Sequence, residues 1–267
     1  MKFLKLASFL VITFYFLANL CTPVLAEKIN IITPYFGTEE NTYINEQYSL
    51  HMKDSQDTHG LYIQSIDPDQ YQWNLFIYKT DDINHSNLLG ANFIYDHYFG
   101  VNEQTKNALG FGLNYFQMDL AGKNIGGLAG FDLSLDISSI YARIGRYYLF
   151  DRGNFHSTMM PWIGGQLDQS RGDGRVDFPG PGAADFKIDD NQFSWIGGVN
   201  FKTTFNHFLQ LDAKHSISYF DDNYFNKSSA MVNFFLTQKW GLSYRYNYLE
   251  TSVGKDCYHI FGVAVVF

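Results

Sequence analysis

The fold is decided by the last stretch of the chain, Tyr258-His259-Ile260-Phe261-Gly262-Val263-Ala264-Val265-Val266-Phe267. Phe261, Val263, Val265 and Phe267 alternate, so in a β-strand their large apolar side chains share one face. The residues between them are small or compact, which suits a crowded interior. A soluble protein seldom ends on such a strand, because an unpaired apolar edge is prone to aggregate. The pattern favours a closed membrane barrel, in which the last strand pairs with the first and the bulky face contacts hydrocarbon.

The same stretch resembles the C-terminal assembly signal of bacterial outer-membrane β-barrel proteins, in which a glycine precedes alternating hydrophobic residues and a terminal Phe. Gly262, Val265 and Phe267 fit that pattern, whereas Ile260 stands where a polar residue is usual. The resemblance implies an integral protein of the cell outer membrane. It also implies three partners: outer-membrane lipid, lipopolysaccharide and the barrel-assembly machinery. It reaches this broad class and no named subfamily.

The composition agrees with a barrel in a membrane. Aromatic residues make up 18% of the 267 residues and charged residues only 17%, an unusual balance for a soluble domain of this size. After the N-terminus, no apolar run approaches the roughly 18 residues of a membrane-spanning helix. A membrane protein without spanning helices must be a closed barrel, because lipid cannot satisfy the hydrogen bonds of an open sheet edge.

Residues 1–26 have the three parts of a secretory signal peptide: the charged start with Lys2 and Lys5, an apolar core, and the small-residue cleavage site Val24-Leu25-Ala26. Without those two lysines, 17 of the 19 basic residues remain against 27 acidic ones, which argues against nucleic acid as a partner. Cys257 is then the only cysteine, so neither a disulfide within the chain nor a zinc cluster of thiolates is expected. No cofactor is predicted.

From residue 59 to 267 the sequence predicts an all-β, closed antiparallel transmembrane barrel of about 12 strands, with 10 or 14 as alternatives. Residues 27–58 are left open as a periplasmic segment, a plug or the first weak strands. Three loops are expected outside the cell, at 169–190, 100–107 and 220–227, with a tight turn near Ser138. The alternating segments are 61–63, 71–77, 89–95, 109–115, 129–137, 140–144, 163–167, 193–201, 209–213, 230–236, 242–248 and 258–267.

The two faces of these strands differ in chemistry. One face carries Leu, Ile, Val and Phe, as in Phe131, Leu133 and Leu135, and is expected to contact lipid. Charges on a lipid face cost about 2–4 kcal/mol each at mid-bilayer, so the charged residues between them are expected to point inward. Their mixed signs predict a lumen in which charges are paired. The lumen-lining candidates are Asp132, Asp136, Arg143, Lys202, Asp212, Lys214 and Arg245.

Such a lumen favours a small pore or transporter for small solutes. The alternative is a non-conducting barrel with a structural or adhesive role at the cell surface. Arg171-Gly172-Asp173 spells an integrin-binding tripeptide within the longest predicted loop. The loop carboxylates (Asp173, Asp177, Asp185, Asp189 and Asp190) could bind a divalent cation, although their spacing matches no calcium-loop template.

An outer-membrane lipid hydrolase or protease is the third alternative. The chain offers Asp212 with His215, Asp96 with His97, and His156 with Ser157. Each pair is an odd number of residues apart, so on a regular strand its members face opposite sides. The sequence therefore predicts a non-enzyme, with no catalytic and no metal-binding residues assigned.

Overall fold

The residues that the structure describes form twelve antiparallel strands. A computed structural model describes residues 28–45, 50–80, 86–125, 128–178, 180, 182–206, 208–220, 223–251 and 254–267. The predicted signal peptide lies outside them. Within the described residues, no helix has the length and apolar character needed to span a membrane. The strands are β1 (Ile29–Asn45), β2 (Leu50–Asp67), β3 (Tyr71–Thr80), β4 (Ser86–Phe99), β5 (Thr105–Ile125), β6 (Leu128–Arg152), β7 (Phe155–Asp177), β8 (Ala183–Phe205), β9 (Leu209–Phe220), β10 (Asn223–Phe235), β11 (Trp240–Thr251) and β12 (Gly254–Val266).

Every strand pairs with its neighbours in sequence, and β12 pairs with β1 to close the barrel. The predicted fold class and the closure of the last strand onto the first are therefore confirmed. The stagger of the barrel can be read from its cross-strand partners. Starting at residue 204 of β8 and passing from partner to partner once around the barrel leads back to β8 at residue 190, so the stagger is 14 residues. Twelve strands with this stagger are tilted by about 40° from the barrel axis.

The two ends of the barrel differ. The end that carries Phe267, called here the C-terminal end, has five short connections, the longest of which spans residues 100–104. At the opposite end β5 to β8 are 21 to 25 residues long and extend as a projection beyond their neighbours. The predicted loop at 169–190 is wrong over most of its length, because β7 and β8 continue to Asp177 and from Ala183. The turn expected near Ser138 is an unbroken part of β6. Of the loop predicted at 100–107, residues 100–104 form a connection, and it lies at the C-terminal end. The loop predicted at 220–227 is wrong over most of its length, because β10 begins at Asn223.

The strand number of twelve was predicted correctly, but two errors compensated for each other. The alternation breaks between Ile137 and Ile140, which split β6 into two predicted strands. In turn, β1 was not counted. Residues 29–45 and 50–58, for which the sequence left several possibilities open, lie in β1 and the first part of β2.

The outer face of the barrel is apolar, as predicted. Ile140, Ile163 and Trp195 are exposed by 60%, 60% and 65% on this face, which would be unfavourable in water and suits hydrocarbon. Aromatic rings contact one another toward the C-terminal end, for example Phe155 with Phe205 at 4.6 Å between centroids. Arg146 also faces outward near that end and lies over the ring of Tyr148, from where a long cationic side chain can reach the interface.

The two faces exchange their chemistry within the projection. We call a set of cross-strand partners on successive strands a rung. The outward rung Leu113, Ile140, Leu167 and Phe193 is apolar, whereas the outward rung Gln117, Asp136, Arg171 and Asp189, further from the C-terminal end, is polar. The expectation that Asp132 and Asp136 line the lumen is therefore wrong: both are exposed on the outer face of β6, beyond the apolar belt. Leu133 and Leu135 point to the inner side, whereas the side chain of Phe131 lies outside the described residues. A polar outer face is suited to water and not to lipid, so the change of polarity indicates where the lipid-facing part of the barrel ends.

Candidate functional site: the barrel interior

An ion pair fixes one side of the interior. Arg143 on β6 donates from Nε and Nη2 to Oδ1 of Asp96 on β4, at 3.0 and 2.9 Å, and from Nη2 to Oδ2 at 2.7 Å. The two side chains are only 4% and 0% exposed. Gly110 lies between them on β5, and any β-carbon there would collide with the Asp96 carboxylate. The missing side chain of Gly110 is thus what allows the pair to form across an intervening strand.

Neighbouring groups make further hydrogen bonds and a ring contact with this ion pair. Gln72 Nε2 donates to Asp96 Oδ2 at 2.9 Å and to the Tyr147 hydroxyl at 2.6 Å. The guanidinium of Arg143 lies 5.0 Å from the ring centroid of Trp162. Buried charges are tolerated when they are paired and their remaining hydrogen-bonding atoms are satisfied, and this network meets both conditions.

A second network crosses β1, β11, β10 and β9. The Tyr35 hydroxyl and Ser243 Oγ are 2.7 Å apart, Ser243 donates to Asn233 Oδ1 at 2.5 Å, and Asn233 donates to Gln210 Oε1 at 3.3 Å. Tyr35 and Asn233 are 0% and 1% exposed. Side chains therefore fill the interior at this height.

Arg245 extends from β11 toward β2 and β3. Its guanidinium carbon lies 4.3 Å from the ring centroid of Phe76 and 5.0 Å from that of Tyr62. Cation–π contacts of this kind are stronger where water is excluded. The side chain bridges strands that are not adjacent in the barrel, so it narrows the interior.

Positive charge is concentrated on the inner wall formed by β8 to β11. Three successive inward rungs there contain four cations, Lys202, Lys214, Lys227 and Arg245, and one carboxylate, Asp212. Lys214 Nζ lies 3.7 Å from Asp212 Oδ1, and the two side chains are 24% and 10% exposed. Lys202, Asp212 and Lys214 also line a small polar cavity together with Gln72 and Tyr147.

Lys106 lies at the C-terminal mouth of the barrel. Its Nζ donates to the carbonyl of Pro68 at 2.7 Å and is 3.7 Å from the ring centroid of Tyr98. Tyr98 packs in turn in a buried cluster with Ala108, Tyr147 and Met160. The mouth at this end is therefore lined by packed aromatic groups and Lys106.

Of the predicted lumen residues, five have inward positions: Arg143 and Asp212 are buried, and Lys202, Lys214 and Arg245 are partly buried. The sequence reasoning missed the inward charged residues Glu39, Asp96, Lys106, Asp168, Lys227 and Asp256. Asp96 has the inward parity of β4, and Lys227 that of β10, so the alternation itself contained this information. What it lacked was the register that brings Asp96 to Arg143.

In two of the three candidate hydrolase pairs, the members lie on opposite faces of their strand. Asp96 and Asp212 are buried on the inner face, whereas His97 and His215 are exposed on the outer face. His215 Nδ1 contacts Ser228 Oγ at 2.9 Å. His156 Nδ1 lies 2.9 Å from Asp151 across the β6–β7 turn, and its neighbour Ser157 contacts Thr203.

The predicted adhesive and metal-binding residues lie mainly on the outer face of the projection. Arg171 and Asp173 occupy β7 and form cross-strand ion pairs with Asp189 and Lys187, at 3.9 and 3.8 Å. A hydrogen bond to Asp177 raises the pKa of the Arg175 guanidinium. In the described part of the chain, no group of three or more His, Cys, Asp or Glu residues could hold a metal ion.

The residues of the proposed assembly signal lie where β12 meets β1. Gly262 faces inward opposite Tyr35, and a β-carbon at Gly262 would meet the carbonyl of Pro34. Val265 pairs with Ile32. The backbone N–H of Phe267 donates to the carbonyl of Asn30 at 3.1 Å. Cys257 is half-buried near the Tyr246 hydroxyl.

The structure is similar to solved outer-membrane β-barrels. The translocator domain of the autotransporter NalP from Neisseria meningitidis matches with a TM-score of 0.56 and 8% identity, over 100% of this chain and 98% of that one. The β domain of the Bordetella autotransporter BrkA matches with 0.49 and 10%, over 91% and 100%. The toluene transporter TodX of P. putida matches with 0.42 and 8%, over 90% and 89%. No protein-family model and no curated protein matches the chain. The likeness establishes the fold, a closed membrane barrel of the outer-membrane type.

Proposed function

We propose that the chain is a narrow outer-membrane channel for small solutes and that its lumen favours anions. In this proposal the C-terminal end faces the periplasm and the projection of β5 to β8 faces the outside of the cell. The observation that carries the proposal is the excess of cations over Asp212 on the inner wall of β8 to β11. A charged wall at close range selects the permeating ion by sign.

The side chains that fill the interior toward the C-terminal end, called here the packed layer, must then move when a solute passes. Arg143, Met160 and Asn233 are 5%, 0% and 1% exposed, so the interior is filled at their height. Arg245 is the most suitable moving part, because its guanidinium contacts aromatic rings of β2 and β3 and makes one long hydrogen bond, from Nε to Asn247 Oδ1 at 3.3 Å. The Asp96–Arg143 pair is held by several short hydrogen bonds and is better suited to remain fixed.

Ion selectivity tests the proposal. We expect purified, folded protein in a planar bilayer under a potassium chloride gradient to give a reversal potential that is shifted from zero toward the equilibrium potential of chloride. Replacing Lys202, Lys214 and Lys227 together with Gln should move that potential toward zero. The matched control replaces Arg171, Arg175 and Lys187 with Gln, which removes the same charge from the outer face of the projection and should leave selectivity unchanged.

The packed layer also supports a second candidate, a non-conducting barrel that only displays its projection. Absence of channels from folded wild-type protein would favour this candidate over the pore. Arg245→Ala distinguishes the two further, because it should raise the conductance of a pore gated by this side chain. A closed barrel with an otherwise filled interior would show no conductance in either form.

A further inference from the structure

The inner side of the projection is mainly apolar, although the carboxylate of Asp190 lies on the same rung as Phe116 and Ile137. Here this apolar side is called the inner projection face, and it consists of half-buried or exposed residues of β5 to β8: Phe116, Met118, Leu133, Leu135, Ile137, Val176, Phe186 and Ile188. Met118, Leu135, Gly172 and Ile188 form one continuous rung of this face. Phe186 remains 42% exposed.

The placement of these residues is opposite to that in the membrane-spanning part. Within the belt, apolar side chains point outward and the inner rung Asn114, Ser139, Asp168 and Gln192 is polar. Above the belt the outer face carries ion pairs, so it is suited to water, and the apolar groups face the barrel axis. An amphipathic sheet normally covers its apolar face with another layer, because exposed apolar area is costly in water. This inner face is only partly covered.

The charged wall of the lumen lies below this face. Lys227 is exposed on its inward rung, and Lys214 lies one rung further toward the C-terminal end. From the strand rise and tilt, Lys227 and Leu135 are separated along the barrel axis by roughly 10–15 Å. The path from the projection into the lumen thus begins with apolar groups, passes Asp190 and Asp168 on β8 and β7, and continues with cations on β9 and β10.

We infer that the inner projection face and the upper lumen together bind an amphiphilic organic anion, a carboxylate with an apolar tail of about medium-chain length. The apolar tail would cover the inner projection face, and the carboxylate would lie against Lys227 and Lys214. Charge complementarity selects the anion over a neutral or cationic amphiphile, because the adjoining inward rungs hold four cations and one carboxylate on β8 to β11 and only Asp256 and Glu39 in addition where they continue over β12 and β1. This inference rests on the proposed channel in that it names the solute class for the same lumen.

Binding can be measured without ion conduction. Radiolabelled octanoate is dialysed to equilibrium against the full chain folded in nanodiscs, and uptake by empty nanodiscs is subtracted. Octanoate should bind saturably. Butyrate should bind at least about tenfold more weakly, since each buried methylene contributes about 0.8 kcal/mol. Octyltrimethylammonium should not compete with octanoate.

Variants on the two faces of one strand locate the site. Leu135→Asn should weaken octanoate binding by about tenfold, whereas Ser134→Asn, on the outer face of β6, should leave it unchanged. Ile188→Ser provides a second variant if Leu135→Asn fails to fold. Lys227→Gln should weaken the binding of octanoate but not that of 1-octanol, because only the former carries a charge.

Wild-type protein that binds no more octanoate than empty nanodiscs would overturn the inference, and so would equal effects of Leu135→Asn and Ser134→Asn. An equal loss of octanol and octanoate binding in Lys227→Gln would overturn the role of the cation. Channels without octanoate binding would remove this inference and leave the proposed pore. Octanoate binding without channels would remove the proposed pore and leave the binding of the amphiphilic anion.

Discussion

Asp96 and Arg143 lie in an interior where an unpaired charge would be costly, and their bidentate contact offsets the loss of hydration. Each strand supplies one partner, so the pair also fixes the relative positions of β4 and β6 across β5. Asp136, by contrast, is exposed on the outer face of β6 and accepts a hydrogen bond from the Tyr115 hydroxyl at 3.0 Å. The two aspartates thus have the same charge in opposite environments.

These environments predict different effects of one chemical change. Asp96→Asn should lower the free energy of unfolding by about 3–5 kcal/mol, because it leaves the buried guanidinium of Arg143 without a counter-charge. Asp136→Asn is the matched control and should change that free energy by no more than about 0.5 kcal/mol. Urea unfolding of the refolded barrels in lipid vesicles measures both. Equal midpoints for the two variants would contradict the pairing of Asp96 and Arg143.

The sequence could predict a buried partner for Arg143 but not which residue it is. Arg143 alternates with Ile140, Ala142 and Ile144 in a way that defines its face. Its partner, 47 positions earlier, is identified only by the register of three strands. Conversely, Asp132 and Asp136 alternate just as regularly, yet they face outward, because alternation shows that two faces differ and does not show which face is inside.

At the scale of the strand, β6 shows why the sequence predicted a turn near Ser138 where the structure has a continuous strand. Apolar residues occupy odd positions up to Ile137 and even positions from Ile140. In a strand whose surroundings are uniform, such a shift indicates a turn or bulge. Here the backbone continues and the surroundings change, from water and an apolar inner face to lipid and a polar interior. A shift of parity within one strand is therefore a signal of the membrane boundary.

Glycines inside the barrel make room for rings on the neighbouring strand. A β-carbon at Gly112 would collide with the ring of Tyr141, its partner on β6, and a β-carbon at Gly90 would collide with the ring of Tyr78 on β3. Aromatic rings that lie across glycines stabilise strongly bent sheets by covering the backbone. The rings also fill interior space that a larger lumen would leave to water.

Gly112→Ala should therefore destabilise the barrel by about 1–3 kcal/mol, because the Tyr141 ring must leave its place in a packed interior. Gly197→Ala is the matched control, since a β-carbon there meets only the carbonyl of Trp162 at an ordinary 3.6 Å. The urea midpoint of each variant, compared with wild type, provides the measurement. A loss of stability as large for Gly197→Ala as for Gly112→Ala would mean that backbone entropy, and not the ring, sets the effect.

At the scale of the whole molecule, closure and inside-out polarity depend on each other. The ladder displaced by 14 residues leaves no open edge within the belt, so the backbone is satisfied even in lipid. With the edges closed, the outer face can consist of apolar side chains while ionic groups pair inside. The fold class could be predicted because both features leave a period of two in the sequence. The inner networks could not, because they depend on the stagger.

Tryptophan fluorescence tests this polarity directly. The chain has four tryptophans, of which Trp195 faces outward within the belt at 65% exposure, and Trp162 faces inward with its Nε1 3.2 Å from Asn200 Oδ1. Two variants that keep only one of these residues, with Phe at the other tryptophan positions, are refolded into vesicles of acyl-chain-brominated lipid. Bromine quenches at short range, so the variant that keeps Trp195 should lose most of its emission, because its ring contacts the acyl chains. The variant that keeps Trp162 should retain its emission, because the barrel wall separates its ring from lipid. Stronger quenching of Trp162 than of Trp195 would mean that the apolar face encloses the interior and that the barrel does not span a bilayer.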